Sequence, residues 1–196
     1  MIIKVCGMRE PNNIREIESL GGDMMGFIFW PKSSRYVSQR PAYLPTQCKR
    51  VGVFVDEDIQ TVRRIADEYA LDYIQLHGHE SSDYCAQLKG LHLIKAISVS
   101  GRDDIATYKQ YEGLVDYFLF DTKCPTLGGS GQQFDWTVLT AYDGSTPFLL
   151  SGGIGPDDAQ RVKAFQHPKC VGIDLNSRFE IAPGLKDINK LKQFLE

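Results

Sequence analysis

Two residues suited to acid-base chemistry stand at the ends of apolar runs that lie far apart in the chain. Cys6 closes the run "IIKVC", and Asp121 closes the run "DYFLFD". Because side chains alternate along a β-strand, Cys6 shares a face with Lys4, while Asp121 shares a face with Leu119. A thiol and a carboxyl group facing one pocket form an acid-base pair. The fold must then bring these two strand ends together.

Glycines and small polar residues follow two other apolar runs near the C-terminus. Gly152 and Gly153 stand in "LSGGI", and Asn176 and Ser177 stand in "GIDLNSRFE". Main-chain N–H groups in such loops bind phosphate, since no side chain blocks the approach to glycine. The "GGSG" stretch that includes Gly129 offers either further donors or the hinge of a lid that excludes water.

Short apolar, β-branched or aromatic runs alternate with helical patterns along almost the whole chain. A helix is indicated after the first run by Ile14, Ile17 and Leu20, which recur at helical spacing before two glycines. Further helices are expected at 58–70, 81–89 and 155–165, and one short helix at 31–49, where three prolines stand. Eight runs read as strands: 2–6, 24–29, 50–55, 72–76, 93–97, 116–121, 147–151 and 170–175.

Eight strands that alternate with helices indicate parallel pairing, because neighbouring parallel strands need a long connection. Two closures compete, namely an open doubly wound sheet and a (β/α)8 barrel. The strand count and the lack of a GxGxxG after the first strand favour the barrel. We therefore predict a single α/β domain over residues 1–196, a TIM barrel with its active site at the C-terminal ends of the strands.

Composition narrows the class of protein. The 196 residues are 42% hydrophobic and carry a net charge of −3 with both signs interspersed, which predicts a globular domain and disfavours nucleic acid as a partner. The N-terminal apolar run is too short for a signal peptide or a membrane span, so we expect a cytoplasmic protein. Five cysteines without a CxxC pattern suit neither a disulfide framework nor a zinc site.

Six motifs in order carry a resemblance to a known family. "KVCGM", "FIFWPKSSRYV", "QLHG", "FDT" with "GGSGQQFDW", "LSGGI" and "GIDLNSRFE" resemble the motif series of the phosphoribosylanthranilate isomerases of tryptophan biosynthesis. The resemblance runs from residue 4 to about residue 180. It implies an Amadori rearrangement of N-(5-phosphoribosyl)anthranilate to 1-(2-carboxyphenylamino)-1-deoxyribulose 5-phosphate, without a cofactor or metal.

The resemblance also implies roles for individual residues. Asp121 matches the general acid that protonates the furanose ring oxygen, and Cys6 matches the general base that takes the C2 proton. Arg35 matches the arginine that binds the anthranilate carboxylate. His77 and Asp174 match residues close to the substrate. Arg178 departs from the pattern, since many relatives have glycine there, and it either adds a charge to the phosphate site or faces solvent.

Three other functions remain open from the sequence. The sister isomerase of histidine biosynthesis performs the same rearrangement on a bis-phosphate substrate, but it is expected to carry aspartate at the position of Cys6. A Schiff-base aldolase would use Lys4 or Lys95, both on strands. A phosphosugar-binding barrel without activity would not need an acid-base pair. For the isomerase we expect a small phosphoribosyl substrate, no membrane partner, and a monomer or homodimer.

Overall fold

Eight parallel strands close into a barrel in the computed structural model, which describes residues 1–122 and 133–196. Each strand pairs with the next one along the chain, and the last pairs with the first. The prediction of a (β/α)8 barrel is therefore confirmed. The strands are β1 (Ile2–Val5), β2 (Met24–Ile28), β3 (Lys49–Phe54), β4 (Tyr73–Leu76), β5 (Leu93–Val99), β6 (Tyr117–Thr122), β7 (Phe148–Leu150) and β8 (Cys170–Leu175).

The helices of the outer layer are short. The longest, α2, begins after Asp58, whose carboxylate accepts a hydrogen bond from the Thr61 N–H and so caps the helix. Three connections contain 3-10 helices, at Ala106–Gln110, Trp136–Ala141 and Pro156–Asp158. The α-helices are α1 (Pro11–Ser19), α2 (Ile59–Tyr69), α3 (Ser82–Gln87), α4 (Arg102–Ile105), α5 (Ala159–Ala164) and α6 (Ile188–Leu195). None of the described helices has the length and apolar character that crossing a bilayer requires.

The prediction of a short helix between β2 and β3 is wrong. Residues 31–49 contain turns and one isolated bridge, between Ile28 and Tyr36. Pro31, Pro41 and Pro45 lack the N–H that a helix interior needs, and each also disfavours helical backbone in the residue before it. The segment instead runs beside β2, where the Val37 N–H donates to the Ile28 carbonyl.

Two apolar cores result from the alternation of side chains along the strands. One fills the barrel interior and is formed by Met24, Val51, Ile94, Ala96, Leu119 and Leu149. The other lies between the strands and the helices and is larger. Residues two apart on a strand share a face, so Lys4 and Asp121 face the interior with Ile2 and Leu119.

A hairpin after β8 was not predicted from the sequence. Strands β9 (Glu180–Ala182) and β10 (Leu185–Lys186) pair antiparallel. The Asn13 side chain fixes this hairpin to α1, since its Oδ1 accepts from the Lys186 N–H and its Nδ2 donates to the Lys186 carbonyl. The hairpin is therefore held over the C-terminal end of the barrel.

A buried ion pair organises the loops on one side of this end. Lys95 on β5 lies 2.9 Å from the Glu80 carboxylate, and both side chains are almost fully buried. Glu80 also accepts hydrogen bonds from the main-chain N–H groups of Asp56 and Gly78. One carboxylate therefore joins the loops after β3 and β4 to strand β5.

We predict that Lys95→Met lowers the free energy of unfolding by about 3–5 kcal/mol, because it leaves the Glu80 carboxylate buried without a counter-charge. Urea denaturation followed by circular dichroism measures this. The control is Lys49→Met, whose partner Asp72 lies 2.9 Å away but whose side chain is 62% exposed. It should change the stability by less than about 1 kcal/mol. Equal losses of unfolding free energy in both variants would contradict a special role of the buried Lys95–Glu80 pair.

Candidate active site

Cys6 lies directly after β1 and its thiol points into the barrel. The Cys6 Sγ lies 2.6 Å from the position that a Cβ on Gly26 would occupy. Gly26 shares its strand face with Met24, which belongs to the interior core. Any side chain at Gly26 would therefore collide with the thiol. The predicted orientation of Cys6 agrees with this geometry.

The surroundings of Cys6 carry charges of both signs. Lys4 Nζ lies 2.7 Å from Asp174 Oδ1, and this pair is buried beneath the thiol. Ser151 donates to the other oxygen of Asp174 at 3.3 Å. Burial raises the pKa of the Cys6 thiol; the charge of Lys4 lowers it, that of Asp174 raises it, and the net result is a raised pKa. Asp174 thus lies next to the predicted base, paired with a lysine.

Lys186 and Glu180, from the hairpin after β8, complete this side of the site, and the sequence analysis did not single them out. Lys186 Nζ lies 2.6 Å from Glu180 Oε1 and 2.8 Å from Asn176 Oδ1. The same ammonium group lies 3.4 Å from the position of a Cβ on Gly7, the residue after Cys6. Burial lowers the pKa of Lys186, and its positive charge lowers the pKa of Cys6.

Arg35 is held at the mouth of the barrel by Glu180. Its Nε lies 2.9 Å from Glu180 Oε1, and its Nη2 lies 2.7 Å from Glu180 Oε2. Burial would raise the pKa of Glu180, but the hydrogen bond from Arg35 and the charge of Lys186 lower it overall. The Nη1 of Arg35 has no hydrogen-bond acceptor among residues 1–122 and 133–196. Glu180 therefore occupies the edge formed by Nε and Nη2, while Nη1 binds none of the described residues.

Asp121 lies on the far side of the mouth, together with His77. His77 follows β4, and its Nε2 lies 3.3 Å from Asp121 Oδ2. The other carboxylate oxygen accepts from the Thr122 N–H at 2.8 Å. Both side chains are partly exposed, at 18% for His77 and 23% for Asp121, so a ligand in the mouth can reach them. The structure thus brings these two predicted residues into contact.

The glycines after β7 lie directly against this carboxylate. Gly152 has a φ of +90°, and a Cβ there would lie 2.7 Å from the Thr122 nitrogen and 3.2 Å from Asp121 Oδ1. Gly153 has a φ of +67°. The main-chain N–H groups of both glycines donate to no acceptor within the described ranges. The loop therefore presents free donors beside Asp121.

The loop after β8 meets the loop after β7. Asn176 and Ser177 stand where β8 ends, and Ser177 begins a 3-10 helix that ends at Phe179. Arg178 Nε lies 3.2 Å from the position of a Cβ on Gly155, so this guanidinium lies against the segment after β7. Arg178 therefore brings positive charge to the junction of the two loops. Gly129, the remaining phosphate candidate, lies outside the described residues.

The two lysines of the aldolase alternative are each held in an ion pair. Lys4 is bound to Asp174 and Lys95 to Glu80, and both are fully or almost fully buried. Burial lowers the pKa of Lys4, but Asp174 and Cys6 outweigh this and raise it overall, which opposes a neutral amine nucleophile. No group of three or more potential metal ligands occurs in the described part of the chain.

The closed barrel has a thiol, a carboxyl group and glycine loops at the C-terminal ends of its strands, which is where (β/α)8 enzymes carry their active sites. The family model described as N-(5'phosphoribosyl)anthranilate (PRA) isomerase matches residues 3–196. The chain is 54% identical to the N-(5'-phosphoribosyl)anthranilate isomerase of Phocaeicola vulgatus, over the full length of both proteins. This chain belongs to the phosphoribosylanthranilate isomerase family.

Solved structures agree with this assignment. The phosphoribosylanthranilate isomerase of Thermotoga maritima superposes with a TM-score of 0.87 at 32% identity, covering 100% of this chain and 97% of that one. A structure of such an isomerase in complex with reduced 1-(o-carboxyphenylamino)-1-deoxyribulose 5-phosphate gives 0.84 at 30% identity, with the same coverage. Another, of monomers of the dimeric Thermotoga maritima isomerase, gives 0.83 at 30% identity, again with this coverage.

We predict that Lys186→Gln raises the pKa of the Cys6 thiol further, because it removes a buried positive charge beside it. The measurement is a pH titration of ultraviolet thiolate absorbance. The Cys6 signal is the difference between each protein and its Cys6→Ala counterpart. Lys49→Gln, at the start of β3 and exposed, serves as the control and should leave the titration unchanged. An unchanged titration in Lys186→Gln would show that this ammonium group does not act on the thiol.

Proposed function

We propose that this protein is a phosphoribosylanthranilate isomerase, with Asp121 as general acid and Cys6 as general base. It converts N-(5-phosphoribosyl)anthranilate to 1-(2-carboxyphenylamino)-1-deoxyribulose 5-phosphate. The observation that carries the proposal is that Asp121, on β6, and Cys6, directly after β1, lie at the same mouth of the barrel in a chain of this family. The neighbour solved with the reduced product analogue supports the substrate class.

Asp121 protonates the ring oxygen of the sugar, and the ring opens to a Schiff base. The partial exposure of its carboxyl group, toward the mouth, supports this role. The proton moves from the carboxyl oxygen to the ring oxygen as the C1–O bond breaks. The carboxylate that remains is stabilised by the hydrogen bond from the Thr122 N–H.

Cys6 then removes the C2 proton, which gives an enolamine that becomes the ketone. Only the thiolate can act as the base, and burial works against its formation. Lys4, Lys186 and Arg35 are positive and Asp174 and Glu180 are negative, so the surroundings hold one excess positive charge. This excess favours the thiolate and offsets part of the cost of burial.

Arg35 binds the anthranilate carboxylate. Glu180 holds the Nε and Nη2 side of the guanidinium group, and this fixes the direction in which Nη1 points. A planar donor fixed in this way is preorganised for a carboxylate, so less side-chain entropy is lost on binding. His77 and Asp174 are the other proposed substrate-pocket residues, one beside each catalytic group.

The phosphate lies between the loops after β7 and β8. Gly152 and Gly153 supply N–H donors from one loop, and Asn176 and Ser177 lie at the start of the other. Arg178 contributes positive charge at the junction. We also assign Gly129 to this phosphate site, from its position in "GGSG".

We further propose that residues 1–196 form one domain that acts in the cytoplasm as a monomer or homodimer. The family model extends over almost this whole range, and a dimeric form is known for the Thermotoga maritima neighbour. The cysteines in the described ranges are free thiols, as expected in a reducing compartment. No nucleic-acid or membrane partner is part of the proposal, because the substrate is a small molecule.

The isomerase activity is tested with enzymatically generated phosphoribosylanthranilate, whose fluorescence is lost on conversion. We expect the protein to accelerate this loss without any added cofactor or metal. No acceleration by protein that is folded according to circular dichroism would refute the proposed function.

Asp121→Asn and Cys6→Ala should each lower kcat by about 100-fold or more while changing KM little, because both residues act on the chemical step. Asp116→Asn is the matched control, since Asp116 also pairs with a histidine, His92, but lies at the opposite end of the barrel. Its kcat should stay near that of the wild type. Full turnover by Cys6→Ala would refute the assignment of the base.

Arg35→Ala should raise KM by about tenfold or more through the loss of a charged hydrogen bond to the substrate, with a smaller effect on kcat. A substrate analogue without the anthranilate carboxylate separates this role from a structural one. The Arg35→Ala variant and the wild type should bind that analogue equally. A variant that binds it more weakly than the wild type would place Arg35 elsewhere than at the carboxylate.

A further inference from the structure

Gln75 is a buried polar residue with an unsatisfied oxygen, and it lies next to the acid half of the site. It stands on β4, two residues before His77, so both side chains face the barrel interior. Its side chain is buried, with 1% of the residue exposed. Its Nε2 lies 2.8 Å from His77 Nδ1, while its Oε1 has no hydrogen-bond partner in the described part of the chain. A buried amide oxygen without a partner is costly and calls for an explanation.

A hydrogen bond and an ion-pair contact link Gln75 to Asp121 through His77. The Gln75 amide donates to His77 Nδ1, so this nitrogen carries a lone pair and the proton of a neutral ring is on Nε2. Nε2–H then faces Asp121 Oδ2 at 3.3 Å. Asp121 Oδ1 accepts from the Thr122 N–H, so both carboxylate oxygens face N–H groups. In this arrangement both neighbouring groups present N–H donors, and neither can accept a hydrogen bond from a protonated carboxyl group.

A half-turn of the Gln75 amide reverses this arrangement. The oxygen and the nitrogen of an amide are nearly equal in size, so the turn needs no additional space. Oε1 then accepts a hydrogen bond from His77 Nδ1–H and gains the partner that it lacks, while Nε2 takes the position that Oε1 had occupied. The Nε2 of the neutral ring now carries a lone pair, which accepts a hydrogen bond from Asp121 only when the carboxyl group is protonated. The ring holds one proton in both arrangements, and Asp121 gains its proton from water.

We propose that Gln75 is a positioning residue that sets which nitrogen of His77 carries the proton, and through it whether Asp121 holds the proton that it donates. The inference rests on the proposed function of Asp121 as the general acid. It assigns to His77 a role in maintaining this acid, in addition to its place in the pocket. After the proton passes to the substrate, the amide and the ring return to the arrangement that stabilises the carboxylate.

The neighbouring charges do not replace Gln75 in this role. Lys95 Nζ donates to the carbonyl oxygens of Leu76 and Gly78, on either side of His77, and it is paired with Glu80. These contacts fix the main chain on both sides of the histidine. The movement is therefore restricted to the rotation of the amide and the transfer of protons.

The tautomer of His77 can be read directly by long-range ¹H–¹⁵N correlation NMR on ¹⁵N-labelled full-length protein, with the signals assigned through His77→Gln. We expect Nε2–H in the wild type. Gln75→Glu presents only acceptor oxygens to the ring when ionised, so it should move the proton to Nδ1. The signal of His92, which pairs with Asp116 at 3.1 Å at the other end of the barrel, should remain unchanged and serves as the internal control.

Kinetics provide the second measurement. Gln75→Met preserves the length of the side chain but makes no hydrogen bond to the ring. We expect kcat to fall by about tenfold, as is typical when a partner behind a functional histidine is removed, with KM within about twofold of the wild type. A role in packing alone would leave kcat and the tautomer unchanged, because methionine fills the same space.

The outcomes separate this inference from the proposed function. A wild-type protein that does not isomerise phosphoribosylanthranilate refutes the function, whatever the NMR shows. If the wild type is active, the inference is refuted by the same His77 tautomer in the wild type and Gln75→Glu, or by an unchanged kcat in Gln75→Met. A shifted tautomer together with a reduced kcat supports it.

Discussion

The pairing of the first strand with the last is the constraint on which the rest of the site depends. Cys6 follows β1, whereas Asp174, Glu180 and Lys186 come from the last quarter of the chain, and they meet only because β1 and β8 pair. The Lys4–Asp174 ion pair crosses this seam inside the barrel. Breaking one partner of such a buried pair leaves an uncompensated charge, so correct closure and the environment of the thiol are linked energetically.

The charged groups around Cys6 differ from those around Asp121. Around Cys6, the proposed base, the charges sum to one excess positive charge, which offsets part of the cost of forming a buried thiolate. The acid half has no lysine or arginine bound to Asp121 within the described ranges. Its carboxyl group is in contact with a histidine, and that residue is backed by a neutral amide. A general acid, the role proposed for Asp121, must alternate between two protonation states, and a neighbouring histidine that can itself gain or lose a proton suits this role better than a fixed cation does.

Sequence periodicity was sufficient for the strands but not for the charges around Cys6. Alternation along β1 and β6 predicted correctly that Cys6 and Asp121 face the interior, and the same rule applied to β4 would have placed Gln75 there. Lys186 and Glu180 lie in a short hairpin after the last predicted strand, where no periodic pattern distinguishes a buried lysine from an exposed one. The error at residues 31–49 was of another kind, since the three prolines argued against any helix there.

Glycine has two separate functions at this mouth, and the sequence indicated only one of them. The motif "LSGGI" predicted phosphate binding through main-chain N–H groups. In the structure Gly152 also leaves the space that Asp121 and Thr122 occupy, and its positive φ favours glycine independently of any ligand. Gly26 does the same for the thiol from a strand interior that carries no turn signal. Cys6 and Asp121 therefore each depend on a glycine opposite them, because a single methyl group in either place would displace the side chain.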